Sequence, residues 1–193
     1  MGQGDCSQSG EGIALAEHTA LELFQIGALL LGNEDEAITL VEETVAAVQA
    51  DPCCDAAAAH DEARDRLIHS GLERMHSMDP AAFAAAGAEQ AQSSCIEDDE
   101  ATAAGISSDR MAELTHGSGR LELRAWLAQL PLALRAVFVL RAVVGLDSAA
   151  TAENLRQLGD SGWTADSTSQ VFRQALCSLA NSMVHSHAAR QTA

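Results

Sequence analysis

The chain has no lysine and no tyrosine, and its 193 residues include only four phenylalanines, two tryptophans and three prolines. Sheets draw on aromatic and β-branched side chains, so this shortage argues against a β fold. The apolar share of 47% is largely alanine and leucine, a mixture suited to helices packed through small residues. No apolar run is long enough to span a bilayer, and the opening MGQGDCSQSGEG lacks the apolar core of a signal peptide. The five cysteines (Cys6, Cys53, Cys54, Cys95 and Cys177) follow no regular spacing. An odd count without a pattern argues against a secreted disulfide framework, and a reducing cytoplasm is the default expectation. Neither a Gly-rich phosphate loop nor a nucleophile motif is present, so an enzyme is not expected and no cofactor is implied.

The charge is unevenly spread. Residues 1–78 hold 15 acids against three arginines, and residues 79–119 hold eight acids against one. Residues 120–193 reverse the balance, with five acids and seven arginines, while the whole chain carries −17. Duplex DNA is a dense polyanion, so the first 119 residues are repelled by it on average. Only the last third is electrically suited to lie near a phosphate backbone.

Apolar periodicity predicts an all-α fold of two small helical domains joined by an acidic linker. Residues 1–12 read as a disordered terminus, 13–78 as the first domain, 79–119 as the linker, 120–187 as the second domain and 188–193 as a tail. In the first domain a helix runs from about Ile13 to Leu31 and is closed by Gly32-Asn33. Asn33 is placed to cap the next helix, with Glu34, Asp35 and Glu36 in its first turn, where the helix dipole favours acids. That helix carries an apolar stripe of Ile38, Val41, Val45 and Val48 and ends near Asp51-Pro52. A third runs from about Ala56 to Met75, interrupted at some cost by Gly71. Residues 81–91 allow a short helix. The second domain reads as four helices: Leu121–Leu130, Leu132–Val144, Ser148–Leu158 and Thr164 to about His185. Pro131 is expected at the first position of the second of these, Gly145 ends it, and Asp147 caps the third.

Two blocks carry a resemblance. Leu127 to Leu146, LAQLPLALRAVFVLRAVVGL, is similar to the LPxxxRxVFxLRxxxGLS pattern of extracytoplasmic-function (ECF) sigma factors, of the sigma-70 family. The matching residues are Leu130-Pro131, Arg135, Val137-Phe138, Leu140-Arg141 and Gly145-Leu146. Leu23 to Val45, LFQIGALLLGNEDEAITLVEETV, resembles the same family's LxxxALxLLGNxxDAEDLVQETF helix pair through Leu30, Leu31, Gly32, Asn33, Ala37, Leu40, Val41, Glu43 and Thr44. Together they span roughly 23–77 and 121–185, about two thirds of the chain.

The resemblance implies a protein that binds core RNA polymerase and directs transcription initiation, with an anti-sigma factor as a possible further partner. Polymerase docking then falls on Leu40, Val41, Glu42, Glu43 and Thr44. GLDSAATAENL, Gly145 to Leu155, matches the supporting helix of the family's helix-turn-helix. Arg156 to Ser161 are six extra residues before Gly162-Trp163-Thr164 fills the turn. The DNA-facing helix falls on Ser167 to Leu176, with Ser169, Gln170, Arg173 and Gln174 as its contact residues. The family's lysine and three arginine positions there are held by Ser169, Val171, Gln174 and Leu176, and only Arg173 is basic. In the first domain HDEARDRLIHSGLERMHS has no aromatic platform for unstacked bases. A second expectation follows from this charge pattern: a degenerate sigma-like regulator that keeps contacts to polymerase or an anti-sigma factor without binding promoter DNA.

His60, His69 and His76 share one predicted helix without HxxxH or HExxH spacing, so they read as exposed histidines with no metal site. His185 and His187 read as part of a frayed tail. Cys53 and Cys54 are adjacent and form no CxxC turn. A helical metal or redox protein using these side chains is the third reading.

Overall fold

A computed structural model describes residues 10–49, 55–88, 119–159 and 161–191, and every regular element among them is helical. The expected all-α class holds. None of these helices is long and apolar enough to cross a membrane. The chain forms two compact units, residues 1–75 and 76–193. Residues 1–9, most of the expected linker (89–118) and the cysteines at 6, 53, 54 and 95 lie outside the described residues.

The first unit is built from α1 (Gly10–Leu31), α2 (Glu34–Ala47) and most of α3 (Ala56–Met78). The start of α1 at Gly10 corrects the expected disorder at 10–12. Gly32 ends α1 with φ 73°, a left-handed conformation that suits glycine, and its N–H donates to Ala28 O at 2.9 Å. Asn33 caps α2 as expected, its Oδ1 accepting from Asp35 N at 2.9 Å and Glu36 N at 3.2 Å. α2 stops at Ala47, before the predicted Asp51-Pro52.

The apolar stripe of α2 behaves differently from a core stripe. Ala37, Leu40 and Thr44 are buried, whereas Ile38 is 47% and Val45 53% exposed. Two glycines explain the choice. A Cβ on Gly27 of α1 would sit 3.5 Å from Ala37 Cβ, and one on Gly71 of α3 would sit 3.4 Å from Leu40 Cδ2 and 3.2 Å from Leu30 Cδ1. Leu40 therefore fills the space left by both glycines, and α2 turns its valines outward. The interruption of α3 by Gly71 is a packing device.

The second unit begins with the end of α3 and continues through α4 (Pro80–Ala88), α5 (Arg120–Leu127), α6 (Leu132–Phe138), α7 (Ser148–Arg156) and α8 (Ala165–Gln191). Residues 80–88, assigned to the linker by composition, are part of this unit. Asp79 caps α4 through Ala82 N at 3.0 Å, Phe83 is fully buried, and α4 packs on α6 and α8. Phe83 also meets the His76 ring edge-on at 5.6 Å. The acidic composition of the flanking sequence hid this anchor.

The predicted helix 132–144 is divided. Pro131 is its N-cap and not its first helical residue, and from Val139 to Val143 the helix widens to a π-turn. Gly145 closes it at φ 83°. Asp147 then caps α7 through Ala150 N at 2.7 Å, as expected. α8 extends through Gln191, so His185 and His187 are helical and not tail.

Gly71 offers a direct test of the first unit. Gly71→Val should destabilise it by about 2 kcal/mol through overpacking against Leu30 and Leu40. Thermal melting followed by circular dichroism would show a lowered midpoint. An unchanged midpoint would mean that the three helices do not close on Gly71.

Candidate functional site

The residues singled out by the sequence fall on two surfaces, one in each unit. On α2, Leu40 is fully buried and Thr44 is 4% exposed, its hydroxyl donating to Leu40 O at 2.7 Å. Their side chains therefore hold the interior and offer no surface to a partner. Val41 is half-buried, and Glu42 and Glu43 are exposed. Glu43 is engaged by Arg74 of α3. Ile38 and Val45, absent from the expected docking set, are the exposed apolar side chains of this face. The signal that finds them is a helix apolar on two sides: with one stripe filling the core, the other is left outside.

α2 carries five acids and no base. Its outward face is thus an apolar strip of Ile38, Val41 and Val45 beside Glu42, with Glu34, Asp35 and Glu36 in the first turn. Such a strip suits a protein surface and repels a phosphate backbone. Behind it, a groove of about 140 Å³ between α2 and α3 is lined by Leu40, Glu43, Thr44, Arg66, His69 and Ser70. Arg66 pairs with Glu62 at 2.8 Å, and His69 Nε2 lies 3.3 Å from Glu73 Oε1, so both side chains are engaged by carboxylates of their own helix. His60 is half-buried instead of free, its Nε2 3.1 Å from Glu22 Oε2 of α1. Among the described residues no group of three or more histidines, cysteines or acids is placed to hold a metal ion.

In the second unit, residues 157–164 connect α7 to α8, a longer join than the three- or four-residue turn of a strict helix-turn-helix. Trp163 anchors the join and is fully buried. Thr164, expected in the turn, caps α8. Its Oγ1 accepts from Ser167 N at 3.1 Å while Ser167 Oγ accepts from Thr164 N at 2.9 Å, a reciprocal capping box. Beyond the cap, Arg173 is exposed and Ser169, Gln170 and Gln174 are half-buried. Ser169 Oγ is engaged by Ser148 Oγ of α7 at 2.7 Å and donates to Ala165 O at 2.9 Å. Its hydroxyl joins the two helices and is not held out for a base edge. Val171 is buried in the unit, and no arginine but Arg173 lies between 165 and 182.

The motif arginines are structural. Arg135 is 8% exposed; its Nε donates to Leu127 O at 2.9 Å and an Nη to Ala128 O at 3.3 Å. It adds donors to carbonyls at the end of α5, where Leu127 O also accepts from Leu130 N at 3.1 Å. Burial lowers the pKa of Arg135 from its ordinary value, because desolvation penalises the charged form. Arg141 donates to Leu146 O at 3.0 Å across the Gly145 turn and lies 5.1 Å from the centre of the Phe172 ring. Phe172 continues a ladder with Phe138 at 6.1 Å and Trp126 beyond it at 4.9 Å. The Trp126 indole N–H donates to Ser178 Oγ of α8 at 3.3 Å.

Arg135→Met should remove about 1–3 kcal/mol by taking a buried donor from Leu127 O, which keeps only the Leu130 N–H, and from Ala128 O. Arg135→Lys should recover only part of this, since an ammonium lacks the planar fork. Urea unfolding of the three proteins measures both, and equal midpoints for wild type and Arg135→Met would remove the capping role.

The chain matches no protein-family model, no curated protein and no solved structure.

Proposed function

We propose that the chain is a sigma-factor-like transcription protein of the cytoplasm that docks on core RNA polymerase through the outward face of α2. The observation that carries this reading is the exposure of Ile38 and Val45 on an acidic helix whose opposite stripe is already buried. The likeness of Leu23–Val45 and Leu127–Leu146 to the two sigma blocks names the partner. The docking residues on this reading are Ile38, Val41, Glu42 and Val45, with Leu40 and Thr44 supporting them from inside.

A second reading, a regulator that holds polymerase or an anti-sigma factor without reading a promoter, is favoured by α8. Phosphate contacts supply much of the affinity of such a module. Arg173 is the single arginine over the first 18 residues of the helix, and Arg135 and Arg141 are turned to backbone carbonyls.

The test is a pull-down of bacterial core RNA polymerase with the full chain, followed by run-off transcription. Capture with promoter-dependent transcripts supports the sigma-like reading, and capture without transcripts supports the regulator. Absence of capture defeats both for the polymerase. Val45→Arg should weaken capture about tenfold or more, equivalent to about 1.4 kcal/mol, with helical content unchanged. A variant that binds as well as wild type would move the interface off α2.

A further inference from the structure

Trp163 and Thr168 are both fully buried, yet the Trp163 indole N–H and the Thr168 hydroxyl have no hydrogen-bond partner among the described residues. A buried threonine in a helix has a ready acceptor in the carbonyl four residues back. Thr39, Thr44 and Thr151 each donate to that carbonyl, at 3.0, 2.7 and 2.8 Å. The equivalent acceptor for Thr168 is Thr164 O, which is already taken twice, by Thr168 N at 2.9 Å and by Ser167 Oγ at 3.1 Å. A carbonyl oxygen has two lone pairs. The capping box that starts α8 therefore turns the Thr168 hydroxyl away from its own helix.

The same box sets where that hydroxyl goes. With Thr164 as the N-cap, Trp163 stands just before the cap and Thr168 at the fourth helical position. Side chains at these two positions pack together across the start of a helix, the arrangement of a hydrophobic staple. Here each half of the staple carries a polar atom into the contact. We propose that Trp163 Nε1 and Thr168 Oγ1 share a single internal water, held between the α7–α8 join and the first turn of α8.

The chemistry of the two groups selects the ligand. An indole N–H only donates, whereas a hydroxyl donates and accepts, so the bridging atom must accept from Trp163 and can take either role toward Thr168. A water oxygen does both in the smallest volume, and two polar partners are enough to hold a buried water. Neither group carries a charge, which disfavours an ion in so enclosed a place. Both residues are closed to solvent, which disfavours anything larger. The water ties Trp163, the anchor of the join, to α8 and thereby fixes the direction in which α8 leaves it. This site is in the second unit and owes nothing to the docking face of α2.

A high-resolution crystal structure of the full chain should show one ordered water at about 2.7–3.2 Å from both atoms. A direct bond between Trp163 Nε1 and Thr168 Oγ1, or no water touching both, overturns the proposal. In solution, Thr168→Val keeps the shape of the side chain and removes the hydroxyl. It should lower the urea midpoint and move the Trp163 indole proton upfield in the nuclear magnetic resonance spectrum. The Trp126 indole, which donates to Ser178 Oγ, should stay in place as the reference. Thr168→Ser restores the hydroxyl and should return the Trp163 resonance to its wild-type position. A raised midpoint in Thr168→Val would show that the wild-type hydroxyl has no partner at all, and an unmoved Trp163 resonance would show that the two atoms share none. Either result overturns the shared water.

Discussion

The second unit depends on how the end of α5 is closed. A helix terminus leaves carbonyls without partners, and burying them unpaired costs more than most single contacts return. Arg135, reaching back from α6, supplies two donors to Leu127 and Ala128. Its burial fixes the angle at which α6 leaves Pro131, and thereby the position of Phe138 against Trp126 and Phe172. Arg141 repeats the device at the other end of the segment, bridging the Gly145 turn to Leu146 O. In a chain without lysine, two of eleven arginines are thus committed to the backbone of the protein itself. Arginines spaced in this way invite assignment to phosphates, but these two hold the scaffold.

In the first unit the polar links, Glu62 on Gln49 N, His60 on Glu22 and Arg74 on Glu43, lie at the edge of the bundle, and the described core closes through absence of side chain. Gly27 and Gly71 leave room that Ala37 and Leu40 occupy. Small-to-large complementarity of this kind lets helices approach without aromatics, which suits a chain with six in total. It also decides which side of α2 is spare. The docking proposal is a by-product of that packing: valines with no gap to fill remain at the surface beside the acids.

Much of the fold was legible in the sequence because helix ends announce themselves chemically. Asn33, Gly32, Gly145, Asp147 and Thr164 all occupy the capping or terminating positions that their types suggest. The facing of α2 was not legible, because both of its stripes are apolar and only the glycines of two other helices distinguish them. Phe83 was lost in an acidic stretch, since a mean over forty residues hides nine that fold. For the candidate sites, the motif spacing fell on helices that do form, but several of the side chains it named are engaged inside the fold. Leu40 and Thr44 are interior and the Ser169 hydroxyl is already bonded, facts that depend on partners distant in sequence.

The π-turn in the middle of the second unit changes the way that segment yields to force. Val144 N–H reaches back five residues to Val139 O, and Leu146 N–H reaches six to Leu140 O, each at 3.0 Å. The helix ends by widening step by step instead of breaking at a single residue. A load applied at Leu146 would meet the Leu140 bond and the Arg141 donor first, then the Val139 bond, before any strain reached Phe138. The segment is therefore built to fray in stages from its carboxyl end while its aromatic anchor stays seated.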